Sequence, residues 1–210
     1  MIAIVDYGSG NLRSAQKGVE KVGYTAQVTD DPEVILRADA VILPGVGAFK
    51  DCYEGLARRG LVDAVKTAAR SGKPFLGICV GLQLLFEYSE EGEGSEGLGI
   101  FKGKVVRFPQ AKEQRLKVPH MGWNELLPCP QKSCPLLKYT SEKPYTYFVH
   151  SYYAVPAEDV TLAECEYGVR FPAIVGRDNV FGVQFHPEKS QTEGLNLLRA
   201  FCELVPAHDH

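Results

Sequence analysis

Lys73-Pro74-Phe75-Leu76-Gly77-Ile78-Cys79-Val80-Gly81-Leu82-Gln83-Leu84-Leu85-Phe86 reads as a short apolar strand, a Gly-x-Cys-x-Gly corner and an apolar helix. The related Gly-x-Ser-x-Gly corner forces its central residue into a strained backbone and lifts the side chain over the end of a sheet. Gly77 and Gly81 remove the Cβ atoms that would crowd such a turn. The sulfur then lies at a helix N-terminus, where unpaired N–H groups and the helix dipole favour an anion. A free cysteine is more often a small core hydrophobe. The two glycines and the strand–helix setting make Cys79 a candidate nucleophile instead.

Outward from this corner, the first half of the chain alternates strand and helix. Ile2–Asp6, Tyr24–Val28, Ala40–Leu43 and Pro74–Ile78 read as strands, the third a continuous apolar run of the kind that suits a buried parallel strand. Leu12–Val22 has helical spacing, Asp31-Pro32 opens a short helix, and a helical stretch runs from about Asp51 to Arg70. This order predicts an α/β fold: a single-domain, open, mostly parallel twisted sheet with helices on both faces. After Tyr88 the pattern changes. Ser89–Gly99 reads as a solvated acidic loop without a function, and Lys104–Phe108, Tyr145–Val149, Leu162–Glu166, Ala173–Arg177 and Val180–Phe185 read as an additional antiparallel region. Arg177-Asp178-Asn179 is a hairpin turn in this reading, Thr192–Val205 a closing helix, and 206–210 a flexible tail after a domain spanning 1–205.

The 210 residues, 45% hydrophobic and 23% charged, suit one soluble globular domain. A formal net charge of −3 gives no support for nucleic-acid binding, and no apolar run approaches the roughly 20 residues that span a bilayer. The first residues lack the basic segment of a signal peptide, so a cytoplasmic location is expected. Six scattered cysteines do not resemble a disulfide framework. Cys129 and Cys134 lie close together, but no second Cys/His pair completes a zinc site, and no metal is expected.

A thiolate that attacks an amide or ester needs a base, an orienting group and an oxyanion site. His186, in Gln184-Phe185-His186-Pro187-Glu188, ends a predicted strand, and in extended chain residues i and i+2 face one side. Glu188 can then orient the imidazole toward Cys79, which gives a Cys–His–Glu triad. His150 is the competing base; it lacks a carboxylate at i+2, and its segment suits a pocket wall better. The loop Pro44-Gly45-Val46-Gly47-Ala48 follows a buried strand, at the sheet edge where ligands bind, so Gly45, Val46 and Gly47 are oxyanion candidates together with Val80 beside the nucleophile. Gly8-Ser9-Gly10 after the first strand lacks the third glycine of a dinucleotide fingerprint. These residues alone leave open a stand-alone cysteine hydrolase on the same scaffold.

Taken together, the elbow Gly77–Gln83 and the Phe185-His186-Pro187-Glu188 segment resemble the two signatures of the class I (triad) glutamine amidotransferases, in that family's order and across nearly the whole chain. The resemblance implies glutamine as substrate, a glutamyl thioester on Cys79, release of ammonia, and no cofactor. It implies that Gln83 and the His150-Ser151-Tyr152 wall contact the substrate. Asp6–Asn11, Pro44–Phe49, Pro119–Asn124 and Glu188–Ser190 resemble members that deliver ammonia to a (β/α)8-barrel cyclase subunit, which implies that Asn11, Trp123, Tyr147 and Lys189 lie near a subunit interface. An amidotransferase for another acceptor, in pyridoxal phosphate or purine synthesis, is the nearest alternative. One departure stands out: most of the family has two consecutive glycines in the oxyanion loop, whereas Val46 follows Gly45 here. A β-branched residue resists positive φ, so the Gly45–Val46 peptide is expected to turn toward substrate only when a partner docks.

Overall fold

The structure, a computed structural model, describes residues 1–109 and 116–206. The tail expected at 206–210 therefore lies outside the described residues beyond Pro206.

The chain begins β1 (Ile2–Val5), α1 (Leu12–Lys21), β2 (Ala26–Thr29), α2 (Pro32–Arg37), β3 (Ala40–Gly45), α3 (Phe49–Arg58), α4 (Val62–Arg70), β4 (Phe75–Cys79). It continues α5 (Val80–Gln83), β5 (Phe86–Ser89), β6 (Ser95–Glu96), β7 (Phe101–Arg107), β8 (His120–Glu125), β9 (Leu127–Pro128), β10 (Tyr145–His150) and β11 (Tyr152–Pro156). β12 (Thr161–Tyr167), β13 (Val169–Arg177), β14 (Val180–Val183) and α6 (Gln191–Cys202) complete it. The main sheet has the order β2-β1-β3-β4-β14-β13-β12-β9. Its first five strands are parallel and the last three antiparallel. Strand order reverses at β1, so right-handed crossovers put α1 on one face and α2 on the other. Contacts of α2 with α4 and of α1 with α6 agree with two helical layers. The α/β fold with an antiparallel extension is as the sequence implies.

Sequence pattern explains the local choices. Asp31 caps α2 by accepting from Glu33 N–H at 2.8 Å, with Pro32 at the first helical position. The helical stretch expected from Asp51 to Arg70 is two helices. Gly60, at φ 65°, takes the left-handed cap position, and bonds from Gly60 N to Ala57 O and Leu61 N to Leu56 O close the end of α3. The apolar run after Cys79 is a single helical turn followed by strand β5, not a longer helix. A short buried apolar run carries no periodicity that separates these outcomes. The Asp178-Asn179 turn joins β13 to β14 as expected, with Arg177 paired to Val180 and Asp178 at φ 54°.

The strands of the second half do not all extend the main sheet. A four-stranded sheet, β11-β7-β5-β6, and a two-stranded ribbon of β10 and β8 stand apart from it. The parallel strands are buried on both faces; β1, β3, β4 and β14 have no residue exposed. Open parallel sheets bind ligands at the carboxyl ends of strands flanking the reversal point, here the loops after β1 and β3 with the end of β4 beside them.

Candidate active site

Cys79 ends β4 with φ 55° and ψ −110°, a backbone that a residue with a side chain rarely adopts. The flanking glycines permit it through close packing. A Cβ on Gly81 would run into the Leu43 carbonyl, and one on Gly77 into the Gly81 carbonyl. The strain lifts Sγ into a cavity of about 460 Å³ at the carboxyl edge of the sheet.

His186, three residues past the end of β14, the strand beside β4, lines the same cavity. Its Nδ1 lies 2.7 Å from Glu188 Oε1. A carboxylate only accepts, so Nδ1 carries the hydrogen and Nε2 is the basic nitrogen. Nε2 is buried with no hydrogen-bond partner among the described residues. Burial disfavours a charged ring here, yet neighbouring Cys79 and Glu188 outweigh it and hold the imidazole pKa above its ordinary value. Burial likewise opposes the Glu188 charge, but hydrogen bonds from His186 and Asn11 keep that carboxyl below the usual range. The i, i+2 contact arises differently from expectation: Pro187–Lys189 is a one-turn 3-10 segment rather than a continued strand. Ser190 locks it, donating to His186 O at 2.6 Å and accepting from Tyr147 N–H at 3.0 Å.

The structure gathers most of the other predicted residues at this cavity. Val46, Gly47, Val80, Gln83, His150, Ser151, Tyr152, Asn11 and Lys189 line it with Cys79 and His186. Gly45 lies behind it, paired with Cys79 across β3 and β4. Asn11, expected at a subunit interface, donates to Glu188 Oε1 at 2.9 Å and so braces the carboxylate. Trp123 and Tyr147 sit outside on the β8–β10 ribbon, directly paired, their rings 6.1 Å apart. Lys189 Nζ lies 5.9 Å from the Tyr147 ring centre. His150 is not poised as a base: both ring nitrogens are bonded, to His120 Nδ1 at 2.9 Å and the Tyr152 carbonyl at 2.8 Å. Burial first, then neighbouring His120 and His186, push its pKa down to about 3, against the pull of the Tyr152 carbonyl.

Val46 and Gly47 of the loop expected to hold the oxyanion line the cavity, but the Val46 amide is engaged elsewhere. Val46 N–H donates to Ser9 Oγ at 3.0 Å, and the same hydroxyl donates to the Val46 carbonyl at 2.7 Å. The N–H that would meet a substrate oxygen is thus engaged. Gly8–Gly10 holds this loop, a role the weak resemblance to a nucleotide fingerprint did not reveal. Two further residues escaped the sequence reading. Glu91, in the acidic loop read as merely solvated, lines the cavity and accepts from Phe49 N–H at the start of α3, 2.8 Å away. Gln184, fully buried, places Nε2 3.7 Å from Cys79 Sγ. Strand alternation could have found it, since it lies two residues before His186.

The arrangement holds a sulfur, a proton acceptor with its orienting carboxylate, and a loop of backbone donors around one cavity, which is the equipment of acyl transfer through a thioester. Compared with known proteins, the sequence family described as glutamine amidotransferase class-I matches residues 3–204. The chain belongs to the class I glutamine amidotransferases. Among its relatives, the imidazole glycerol phosphate synthase subunit HisH of Syntrophotalea carbinolica is 53% identical over 208 residues, covering 97% of this chain and 100% of that protein. The subunit of the same name from Geobacter sulfurreducens is 50% identical, covering 97% of this chain and 98% of that one. Among solved structures, a glutamine amidotransferase superposes with a TM-score of 0.74 at 21% identity, covering 98% of this chain and 99% of that one. PurLQS from Thermotoga maritima gives 0.73 at 22%, covering 96% and 97%. At such identities these structures establish the amidotransferase's fold alone.

Proposed function

We propose that the chain is the glutaminase subunit of an imidazole glycerol phosphate synthase, a cytoplasmic enzyme of histidine biosynthesis. About half of its residues match subunits of that name across nearly the full length of both chains. The single observation that carries the chemistry is strained Cys79 sharing one cavity with the unpartnered Nε2 of a glutamate-bound His186.

In this reading the Cys79 proton passes to His186 Nε2 and the sulfur attacks the side-chain carboxamide carbon of glutamine. Collapse of the tetrahedral intermediate breaks the C–N bond, and the imidazolium returns the proton to the leaving ammonia. Water, deprotonated by His186, then hydrolyses the γ-glutamyl thioester to glutamate and free thiol. Glu188 fixes the imidazole tautomer, and Asn11 fixes Glu188. Both amide hydrogens of Gln83 are bonded within the protein, to Tyr152 O and Gln184 Oε1, so its own oxygen is the group that meets the substrate. Glu91 on the cavity wall suits a substrate ammonium.

Val46 N–H and Val80 N–H are the oxyanion donors, and the first becomes available only when the Ser9 bond is released. We assign that release to docking of the partner, a (β/α)8-barrel cyclase that receives the ammonia and forms imidazole glycerol phosphate and aminoimidazole carboxamide ribotide. Trp123, Tyr147 and Lys189 belong to the docking face. The test is synthesis by the reconstituted complex with Cys79→Ala. Glutamine-dependent synthesis is expected to vanish while synthesis from free ammonia persists. Loss of both activities would make Cys79 a structural residue.

A further inference from the structure

Gln184 lies between Val183 and Phe185 on the chain leaving β14, and all three are fully buried. A buried amide is costly unless its donors and acceptor are used. Here their orientation can be deduced. Gln83 approaches the Tyr152 carbonyl at 3.0 Å and the Gln184 amide at 3.2 Å through the same atom. A carbonyl only accepts, so that atom is the Gln83 NH2 group. The Gln184 atom facing this donor must then be its oxygen. The Gln184 NH2 group is thereby turned to Cys79 Sγ, 3.7 Å away. Because one carbonyl anchors the sequence of bonds, the direction of both amides is determined by chemistry.

We propose that Gln184 is a positioning residue that holds the Cys79 sulfur through an N–H···S bond and links it, through Gln83, to the substrate-facing wall; the role rests on the nucleophile assignment above. Besides His186, the sulfur has the Val149 carbonyl at 4.0 Å, which can only accept from a thiol. Once the proton has moved to His186 that contact offers nothing, and the thiolate keeps the Gln184 N–H as a fixed neutral donor beside the imidazolium that has just taken its proton. A hydrogen bond to an ionised acceptor is roughly twice as strong as a neutral one, so Gln184 favours the reacting form over the resting thiol. Its backbone N–H is tied to Ala173 O at 2.9 Å, which holds the side chain at that depth. Gln184 and His186, two residues apart, bring the donor to the sulfur and the base from one extended segment.

Two variants separate this role from packing. Gln184→Met keeps length and apolar fit without a donor; Gln184→Glu keeps an acceptor for Gln83 but puts a charged oxygen beside the sulfur. Among the described residues the titratable groups around the sulfur or in its cavity are His186, Glu188, Tyr7, Cys52, His150, Tyr152, Glu91 and Lys189, and both variants leave all of them in place. Iodoacetamide labelling of Cys79, read on its own peptide by mass spectrometry across pH, is measured beside glutaminase kinetics of the partner-bound enzyme. In Gln184→Met the pH profile of labelling is expected to move up by about one pH unit, about tenfold in rate at any pH on its rising limb, with kcat down about tenfold and KM nearly unchanged. Gln184→Glu should move it further in the same direction. Profiles that overlay the wild type would overturn the proposal, and so would a KM defect with labelling unmoved. Where Gln184→Glu does not fold, Gln184→Met decides. Glutaminase that survives in Cys79→Ala would instead overturn the nucleophile assignment itself, a distinct result.

Discussion

At the scale of single residues, Ser9 holds the two peptides on either side of the Val46 Cα. It accepts from Val46 N–H at 3.0 Å and donates to the Val46 carbonyl at 2.7 Å, and Cys52 Sγ adds a contact to that carbonyl at 3.3 Å. Val46 resists the positive φ that a glycine would take, so the loop has both a clamp and a stiff hinge. Ser9→Ala removes the clamp. A neutral hydrogen bond of about 1 kcal/mol net corresponds to about a fivefold rise in glutaminase of the chain alone, with the liganded complex unchanged. Steady-state glutamate release with and without partner measures this; an unchanged basal rate would mean that the loop is held by its backbone. The meeting of Cys79, His186 and Glu188 was legible in the sequence because local geometry sets it up: a strained corner, and two groups two residues apart. Ser9, Asn11 and Gln184 were not, because their partners lie 37, 177 and 105 residues away and depend on which strand ends meet.

At the scale of elements, the β8–β10 ribbon carries a buried line of imidazoles. Asn124 Nδ2 lies 3.2 Å from His120 Nε2, His120 Nδ1 lies 2.9 Å from His150 Nε2, and His150 Nδ1 lies 2.8 Å from Tyr152 O. The last acceptor is a carbonyl, so His150 is protonated at Nδ1 and His120 donates in turn, both rings neutral. Burial holds their pKa values down, to about 4 for His120 and about 3 for His150. An unfolded histidine titrates near 6.5, so as pH falls the unfolded chain takes up protons first. The stability from these rings is therefore complete above roughly pH 6.5 and is lost as pH drops toward their folded values, by up to about 1.4 kcal/mol per pH unit for each ring. Urea unfolding at successive pH values should show this slope, and His120→Leu should remove one of the two increments. A slope unaltered in that variant would place the acid sensitivity elsewhere. One strand of this ribbon, β10, was readable, but its partner β8 and the ribbon's separation from the main sheet were not. His120 and His150 lie 30 residues apart, and only the ribbon's register brings them together.

At the scale of the whole molecule, the question is which face the ammonia leaves by. The large apolar side chains of the parallel strands are buried, whereas Met121, Trp123 and Tyr145 on the ribbon are 62%, 47% and 50% exposed. Trp123 lies against Tyr147, and Lys189, which also lines the cavity, lies over the same tyrosine ring. This aromatic group therefore adjoins the cavity holding the sulfur, and an exposed cluster beside such a mouth is the signature of a protein-binding face. In the proposed reading its position suits the chemistry, because a partner seated there would cover the cavity that holds the sulfur and keep released ammonia from water. Trp123 offers a half-exposed indole to that contact and is not among the residues packed in the core. Trp123→Ala should raise the dissociation constant for the cyclase subunit about 30-fold, near 2 kcal/mol, while the melting temperature of the chain alone stays within a few degrees. Titration calorimetry and thermal melts on the same preparations separate the two effects. An unchanged dissociation constant would move the docking face off the ribbon, and a large fall in melting temperature would make Trp123 a structural residue. With the constant raised and the fold intact, glutamine hydrolysis should again reach its full partner-dependent rate once cyclase is in excess, because Trp123 touches neither the sulfur nor its base.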